Sequence, residues 1–288
     1  MTRRPLASHQ EAPEVPVTPL IRFDVISLFP EFFVPWQSLG VCGRAVAEKR
    51  VSVHHWNPRQ FVSDVHQTID DRPYGGGPGM VMMAPPLADC IAAIRHSLSA
   101  KDGLAGPVIL MSPAGTPLTQ GWIETQIALL AQPRPAGHPT RSAGESASAD
   151  PQQFTLVCGR YEGIDQRFID RYVDLEVSLG DFVLSGGEIA ALALMDALVR
   201  RLPGVLNDAL SSINESFMRP QLDHPHFTRP EVFEGRPVPA VLLSGHHGKI
   251  ADWRAQESQR LTLSRRPDLL ESLKRGEKSK ESKESGLS

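Results

Sequence analysis

The segment Ser178–Glu188, SLGDFVLSGGE, has the residue types of a ligand-binding turn. A β-like start runs into Gly180, Gly186 and Gly187 and then into a long apolar stretch of helical pattern. Glycine lets a backbone approach a ligand closely, and loops at strand ends are where open α/β sheets bind ligands. Ser185 and Glu188 have the S-x-x-E spacing of a capping box, which would start the helix there. Neither G-x-x-x-x-G-K-[ST] nor G-x-G-x-x-G occurs, so a triphosphate or dinucleotide has no dedicated cradle. A cofactor without phosphates, recognised by backbone groups, suits this turn, although a turn that only packs tightly would share the pattern. Two further segments have similar chemistry. DDRPYGGGPGMVM, Asp70–Met82, exposes backbone through four glycines beside Asp70, Asp71 and Arg72, and could equally be a long surface turn. CGRYEGID, Cys158–Asp165, places Gly159, Arg160, Tyr161 and Glu162 just after a β-like run. Glu162 could hold a ligand hydroxyl or amine, or solvate a helix start.

These segments need a scaffold, and the flanking periodicities describe one. Short β-like runs lie at Ile21–Phe29, Val51–Trp56, Pro107–Ser112, Phe154–Gly159 and Tyr172–Ser178. Helical patterns over Pro85–Leu98, Thr119–Ala131 and Glu188–Leu202 alternate with most of them. Such alternation predicts an α/β fold with a mostly parallel sheet covered on both faces. Residues 1–20 are polar and Pro-rich and read as a disordered extension, leaving 21–206 as the main domain. Within it, 132–153 (QPRPAGHPTRSAGESASADPQQ) reads as a flexible insert. After Pro203-Gly204, residues 207–222 read as an interdomain linker and 223–275 as a small, mainly helical domain. There His247–Leu263 sets Ile250, Trp253, Glu257 and Leu261 on one helical stripe. The charged, low-complexity tail 276–288 reads as disordered.

Composition narrows the class. With 41% hydrophobic and 22% charged residues over 288 positions, the chain can bury a full-size core. Cys42, Cys90 and Cys158 lie far apart with no C-x-x-C pair, against both a disulfide framework and a thiolate metal site. No apolar h-region and no run long enough to span a bilayer is present, so the expected location is the cytoplasm, with no membrane partner. The net charge of −3 argues against an indiscriminate polyanion binder. From Asp223 onward, however, twelve Lys and Arg face ten Asp and Glu, which leaves the preceding part at −5. If any part meets a polyanion, it is this C-terminal one.

Taken in order, ISLFPEFF, GRAV, DDRPYGGGPGM, LMSPAG, CGRYEGID, GDFVLSGGE, LPGVLND, DHPHFTRPEVFEG, VPAVLLSGHH and RRPDLL run from about Arg22 to Leu270. This series resembles the bacterial TrmD family of tRNA guanine-N1 methyltransferases, in the SPOUT class. The resemblance implies a mostly parallel sheet tied in a deep trefoil knot, an obligate homodimer, and S-adenosylmethionine as methyl donor. The implied reaction is methylation of N1 of the guanine at tRNA position 37, next to the anticodon. A SPOUT enzyme acting on ribosomal RNA, or an inactive relative that binds cofactor and RNA, are the alternatives.

The resemblance also implies residue roles. Three loops would hold the cofactor: Leu110, Met111, Ser112 and Pro113; Gly159 and Glu162; and Leu179, Gly180, Asp181, Phe182, Val183, Leu184, Gly186 and Gly187. Phe182 stands where many relatives have tyrosine. Asp223 matches a residue that positions cofactor or guanine, whereas His224 and His226 have no visible partners for a metal site and are read as structural. N1 of guanine carries a proton near neutral pH, so attack on a methyl group needs a general base and a cation to stabilise charge developing on O6. The family base is an aspartate before a Ser-Phe pair; here NESF puts Glu215 at that position, one methylene longer. The alternatives are that Glu215 is solvated and that Asp223 or Asp181 acts. Arg200 matches the arginine that activates guanine, and could also be a favourable charge at a helix C-terminus. Arg229, His246, Lys249, Arg254, Arg265 and Arg266 are candidate phosphate contacts, or ordinary surface charges. No metal-ligand set is visible, so the magnesium dependence of the family implies Mg2+ bound to RNA or to cofactor and substrate, without a dedicated protein site.

Overall fold

The computed structural model describes residues 20–98, 106–130, 152–206 and 215–270. The described residues belong to two compact units, drawn from Met1–Leu118 with Ile127–Val205 and from Thr119–Gln126 with Leu206–Ser288. The expected extension 1–20, insert 132–153 and tail 276–288 fall wholly or mostly outside the described residues, as does the first half of the expected linker 207–222.

In the first unit β1 (Ile21–Ile26) leads through a 3-10 turn into α1 (Val34–Ser38) and α2 (Gly40–Ala47), then β2 (Val51–Trp56). A short antiparallel arm, β3 (Asp70–Asp71) with β4 (Val81–Met82), precedes α3 (Ala84–Ser97). After these come β5 (Val108–Pro117), β6 (Gln152–Cys158), α5 (Gln166–Tyr172), β7 (Leu175–Ser178) and α6 (Glu188–Val199); between β5 and β6 in sequence lies α4 (Gln120–Leu130), whose residues up to Gln126 are assigned to the second unit. The five long strands form one sheet in the order β2-β1-β6-β5-β7, every neighbouring pair parallel. The fold is therefore α/β with an all-parallel sheet.

The alternation in IRFDVI suggests a strand with one wet face, yet all six residues of β1 are buried. A position inside a parallel sheet covers both faces, and the polar residues survive there by pairing. Arg22 donates two hydrogen bonds to the Asp24 carboxylate, both 2.9 Å. Trp56 Nε1 and Gln153 Nε2 donate to the same carboxylate at 2.9 Å each. Gln153 also corrects the expected insert. Gln152 and Gln153 belong to β6, because the buried Gln153 amide is spent on Asp24, Thr155 Oγ1 and the Gly106 amide.

Ile26 and Val157 turn to the face covered by Leu87, Ile91 and Ile94 of α3 and Phe168 of α5. The other face presents Phe23, stacked on Phe154 at 5.9 Å between ring centroids, and α6 packs on β5 and β6. Ala191, Leu194, Met195 and Leu198 of α6 are fully buried.

The second unit contains β8 (Val232–Phe233) paired with β9 (Arg236–Pro237), then α7 (Ala240–Leu243) and the long α8 (His247–Arg265). The stripe Ile250, Trp253, Glu257 and Leu261 is only half-buried, and the buried α8 positions are polar, Ser258 and Thr262. They grip the chain entering this unit: Thr262 Oγ1 accepts from the Leu222 amide at 2.9 Å, and Ser258 Oγ donates to the Leu222 carbonyl.

Candidate active site

Adjacent strands β6, β5 and β7 end at one edge of the sheet, and their following loops surround a cavity of about 410 Å³. Each loop is shaped by a local constraint. In β5 the register against β7 shifts between Met111 and Thr116, so Ser112–Gly115 leaves the ladder, and Ser112, Pro113 and Ala114 line the cavity. Gly115 permits this, since a Cβ there would stand 2.4 Å from the Glu176 carbonyl carbon. After β6, Tyr161 (φ 60°) and Gly163 (φ 136°) turn the chain back. After β7, Ser178 Oγ accepts from the Gly180 amide at 3.1 Å and starts the turn that ends at α6.

The second and third loops are fastened together. Gly187 N donates to the Gly159 carbonyl at 3.0 Å, and Arg160 bridges to Gly186. Gly187 has no room for a side chain: a Cβ would lie 2.8 Å from Cys158 Cα. The Arg160 side chain adds a second tie. Its Nε donates to Glu188 Oε1 at 3.1 Å, Nη2 lies 2.9 Å from Oε2, and Nη1 donates to the Ser185 carbonyl at 3.2 Å. The Nη2–Oε2 contact is an ion pair, and Oε2 accepts no hydrogen bond. Ser27 Oγ donates to Oε1 at 2.8 Å, and the guanidinium lies 4.5 Å from the Phe29 ring centre.

This arrangement corrects the expected capping box. The N-cap of α6 is Gly187, with no side-chain cap, and Glu188 turns inward, 1% exposed, to meet Arg160. A buried carboxylate needs a cation and donors, and Arg160 with Ser27 supplies them.

The Asp70–Met82 glycine cluster borders the same loops. Glu162 N donates to the Met80 carbonyl and Met82 N to the Gly163 carbonyl, at 3.0 and 2.9 Å. The Glu162 side chain fills the space where a Cβ on Gly79 would be, 2.3 Å from Oε1. Burial and the nearby Asp70 carboxylate raise the Tyr161 phenol above its ordinary pKa.

Among the residues lining the cavity the charged ones are Glu162, Glu176 and Arg160, and Arg160 is already matched by Glu188. Its acid-leaning wall is unsuited to phosphates, while its size and backbone-rich loops fit a neutral or cationic ligand. Leu110, Met111, Ser112, Pro113, Gly159, Glu162, Leu179, Phe182, Val183, Leu184, Gly186 and Gly187 all line it. Gly180 and Asp181 belong to the same loop but are not lining residues, and Asp181 is exposed. Arg200 caps the C-terminus of α6, its amide donating to the Asp196 carbonyl at 3.1 Å. Asp196 Oδ1 in turn accepts from Trp36 Nε1 at 3.2 Å and Cys42 Sγ at 3.1 Å.

Glu215 and Asp223 are in the second unit. Glu215 follows directly on residues outside the described set. Asp223 is the partner that the sequence reading did not find for the histidines: His226 Nε2 donates to Oδ2 at 3.0 Å, and His224 Nε2 stands 3.7 Å from Oδ1. These three side chains lie within 4.8 Å of one another, and their hydrogen bonding accounts for the cluster. Sequence reasoning missed the Arg160–Glu188 pair, although both residues lie in segments it singled out.

A sequence profile described as "tRNA (Guanine-1)-methyltransferase TrmD" matches residues 21–132 and 122–272. The chain belongs to the TrmD family. A TrmD-family relative from Bordetella parapertussis, named tRNA (guanine-N(1)-)-methyltransferase, is 54% identical over 254 residues, covering 87% of this chain and 90% of its own. Relatives of the same name from Polynucleobacter asymbioticus and Burkholderia mallei are each 50% identical, covering 88% and 87% of this chain and 93% and 86% of their own. No helix among the described residues is long and apolar enough to cross a membrane.

Proposed function

We propose that this TrmD-family chain is a cytoplasmic, homodimeric enzyme that methylates N1 of the guanine at tRNA position 37, with S-adenosylmethionine bound in the cavity of the first unit. The observation that carries the reading is the composition of that cavity: three glycine-containing loops, an acid-leaning wall and no spare cation for a phosphate. S-adenosylmethionine, when bound, would supply a methyl group made electrophilic by its cationic sulfur. In this reading the loops are threaded by the deep trefoil knot of the SPOUT class.

The chain's own residues do the rest. Backbone groups of Leu179–Gly187 and of Gly159 orient the adenosine part, while Glu162 and Glu176 complement positive charge. Glu215, acting on the cavity of the partner protomer, removes the N1 proton, and Asp223 positions the guanine. Arg200 stabilises the negative charge that develops on O6. Holding N1 in line with the methyl carbon provides the remaining acceleration through proximity. Magnesium, where required, is held by RNA or by the bound small molecules rather than by a dedicated protein site.

Methyl transfer to an unmodified tRNA transcript by wild type, Glu215→Asp and Glu215→Ala tests the assignment. Activity in wild type and Glu215→Asp, with a loss of at least about a hundredfold in Glu215→Ala, is the expected pattern. A wild type that binds S-adenosylmethionine but transfers nothing, beside an active Glu215→Asp, would identify an inactive relative. Equal rates for wild type and Glu215→Ala would remove Glu215 from the mechanism.

A further inference from the structure

The second unit contains a cavity of its own, of about 480 Å³, between the His224–Arg229 run and α8. Four ring side chains line it, His224, His226, Phe227 and Trp253, at different tilts. The ring centroids of Phe227 and Trp253 are 6.1 Å apart, inclined at 59°, and those of His224 and Trp253 are 6.5 Å apart, inclined at 58°. His224 also packs on His226, with ring centroids 4.4 Å apart at 46°, and Phe227 is exposed. Ile250, Trp253 and Arg254 reach the cavity from one face of α8, at the i, i+3, i+4 spacing.

Charge at the rim selects the guest. Arg229 and Arg254 are both exposed and have no ion-pair partner among the described residues, and Glu231 is the one carboxylate lining the cavity. A purely aliphatic ligand would leave two cations unused. An unstacked base with its phosphate uses every part: base against ring, guanidinium against phosphate. We propose that this cavity binds an unpaired nucleobase of the RNA substrate, outside the base that is methylated. Trp253 and Phe227 form the stacking surfaces, and Arg229 and Arg254 hold the flanking phosphate. The proposal rests on the tRNA reading above and adds to it a second point of base contact.

The test uses the full-length protein and an unmodified tRNA transcript. tRNA affinity is measured over a salt series for wild type, Phe227→Ala, Trp253→Leu and Arg254→Gln, with S-adenosylmethionine affinity and helical content measured beside it to verify folding. Loss of one stacking surface should weaken tRNA binding by about tenfold at every salt concentration. Arg254→Gln should instead flatten the dependence of log affinity on log salt by about one. Phe227 is 47% exposed, so its variant reports on binding even if Trp253→Leu folds poorly. Photocrosslinking with 4-thiouridine-substituted transcript should label peptides containing Phe227 or Trp253. Wild-type tRNA affinity in both folded ring variants, with crosslinks elsewhere, would overturn the proposal while leaving the methylation reading intact. A wild type that neither binds nor methylates tRNA would overturn the methylation reading itself.

Discussion

Arg160 and Glu188 form a buried ion pair that ties two loops of the cavity together: Nη2 lies 2.9 Å from Oε2, with the arginine side chain 14% exposed and the glutamate 1%. Because Arg160 also bonds the Ser185 carbonyl, the pair fixes the distance between the β6 and β7 loops. Removing one partner leaves a buried charge and should cost about 3–5 kcal/mol. Glu188→Ala should therefore lower unfolding stability by about this amount and weaken S-adenosylmethionine binding more than tenfold. In a denaturation cycle, Arg160→Ala/Glu188→Ala should lose less than the sum of the single variants. Additive losses would show that the two charges do not depend on each other.

Two glycines make the cavity walls by omission. A Cβ on Gly187 would press on Cys158 Cα, and one on Gly115 on the Glu176 backbone, in both cases rigid main chain. Either change to alanine should destabilise the protein by about 1–3 kcal/mol and weaken cofactor binding. Gly121→Ala, whose nearest contact would be Thr119 Oγ1 at 3.9 Å, is the control expected to leave binding unchanged. Calorimetric titration checks all three; wild-type affinity in Gly187→Ala would contradict the packing argument.

The cysteines should be inert. Burial, aided by the Asp196 carboxylate, pushes the Cys42 thiol up to about 12; burial pushes Cys90 to about 12 and Cys158 well above its ordinary value. Thiolate is the reactive form, so a disulfide reagent at pH 8 should titrate no thiol in the native protein and all three after denaturation. The same shifts set a direction for stability. The unfolded thiols ionise from about pH 9 while the folded ones stay neutral, so the unfolded state holds fewer protons and stability falls as pH rises from about 9 towards 12. Fast labelling of native protein would contradict the burial.

Much of this scaffold is legible in the sequence because it is periodic. β2, α3, α6 and α8 stand within a few residues of the expected runs, since their patterns span several turns or a full strand. The short α1, α2 and α5 show no such period; α5, seven residues, is set by its neighbours and by Asp165, which accepts from the Arg167 amide at its N-cap. In the site, each glycine cluster is visible alone. That they converge depends on β6, β5 and β7 being neighbours, and on the register shift that releases Ser112–Gly115. Both are long-range properties. The S-x-x-E pattern misled for a related reason: whether Glu188 caps its helix or turns inward is decided by Arg160, 28 residues earlier.

A base-specific methyl transfer leaves a defined methylated nucleoside, which product analysis identifies. Unmodified tRNA transcripts carrying G or A at position 37 would be incubated with the wild-type protein and methyl-labelled S-adenosylmethionine, digested to nucleosides and resolved by mass spectrometry. The expected product is 1-methylguanosine from the G37 transcript, with no labelled nucleoside from the A37 transcript. Label at another guanine, at a position other than N1, or equally in both transcripts would contradict the proposed reaction.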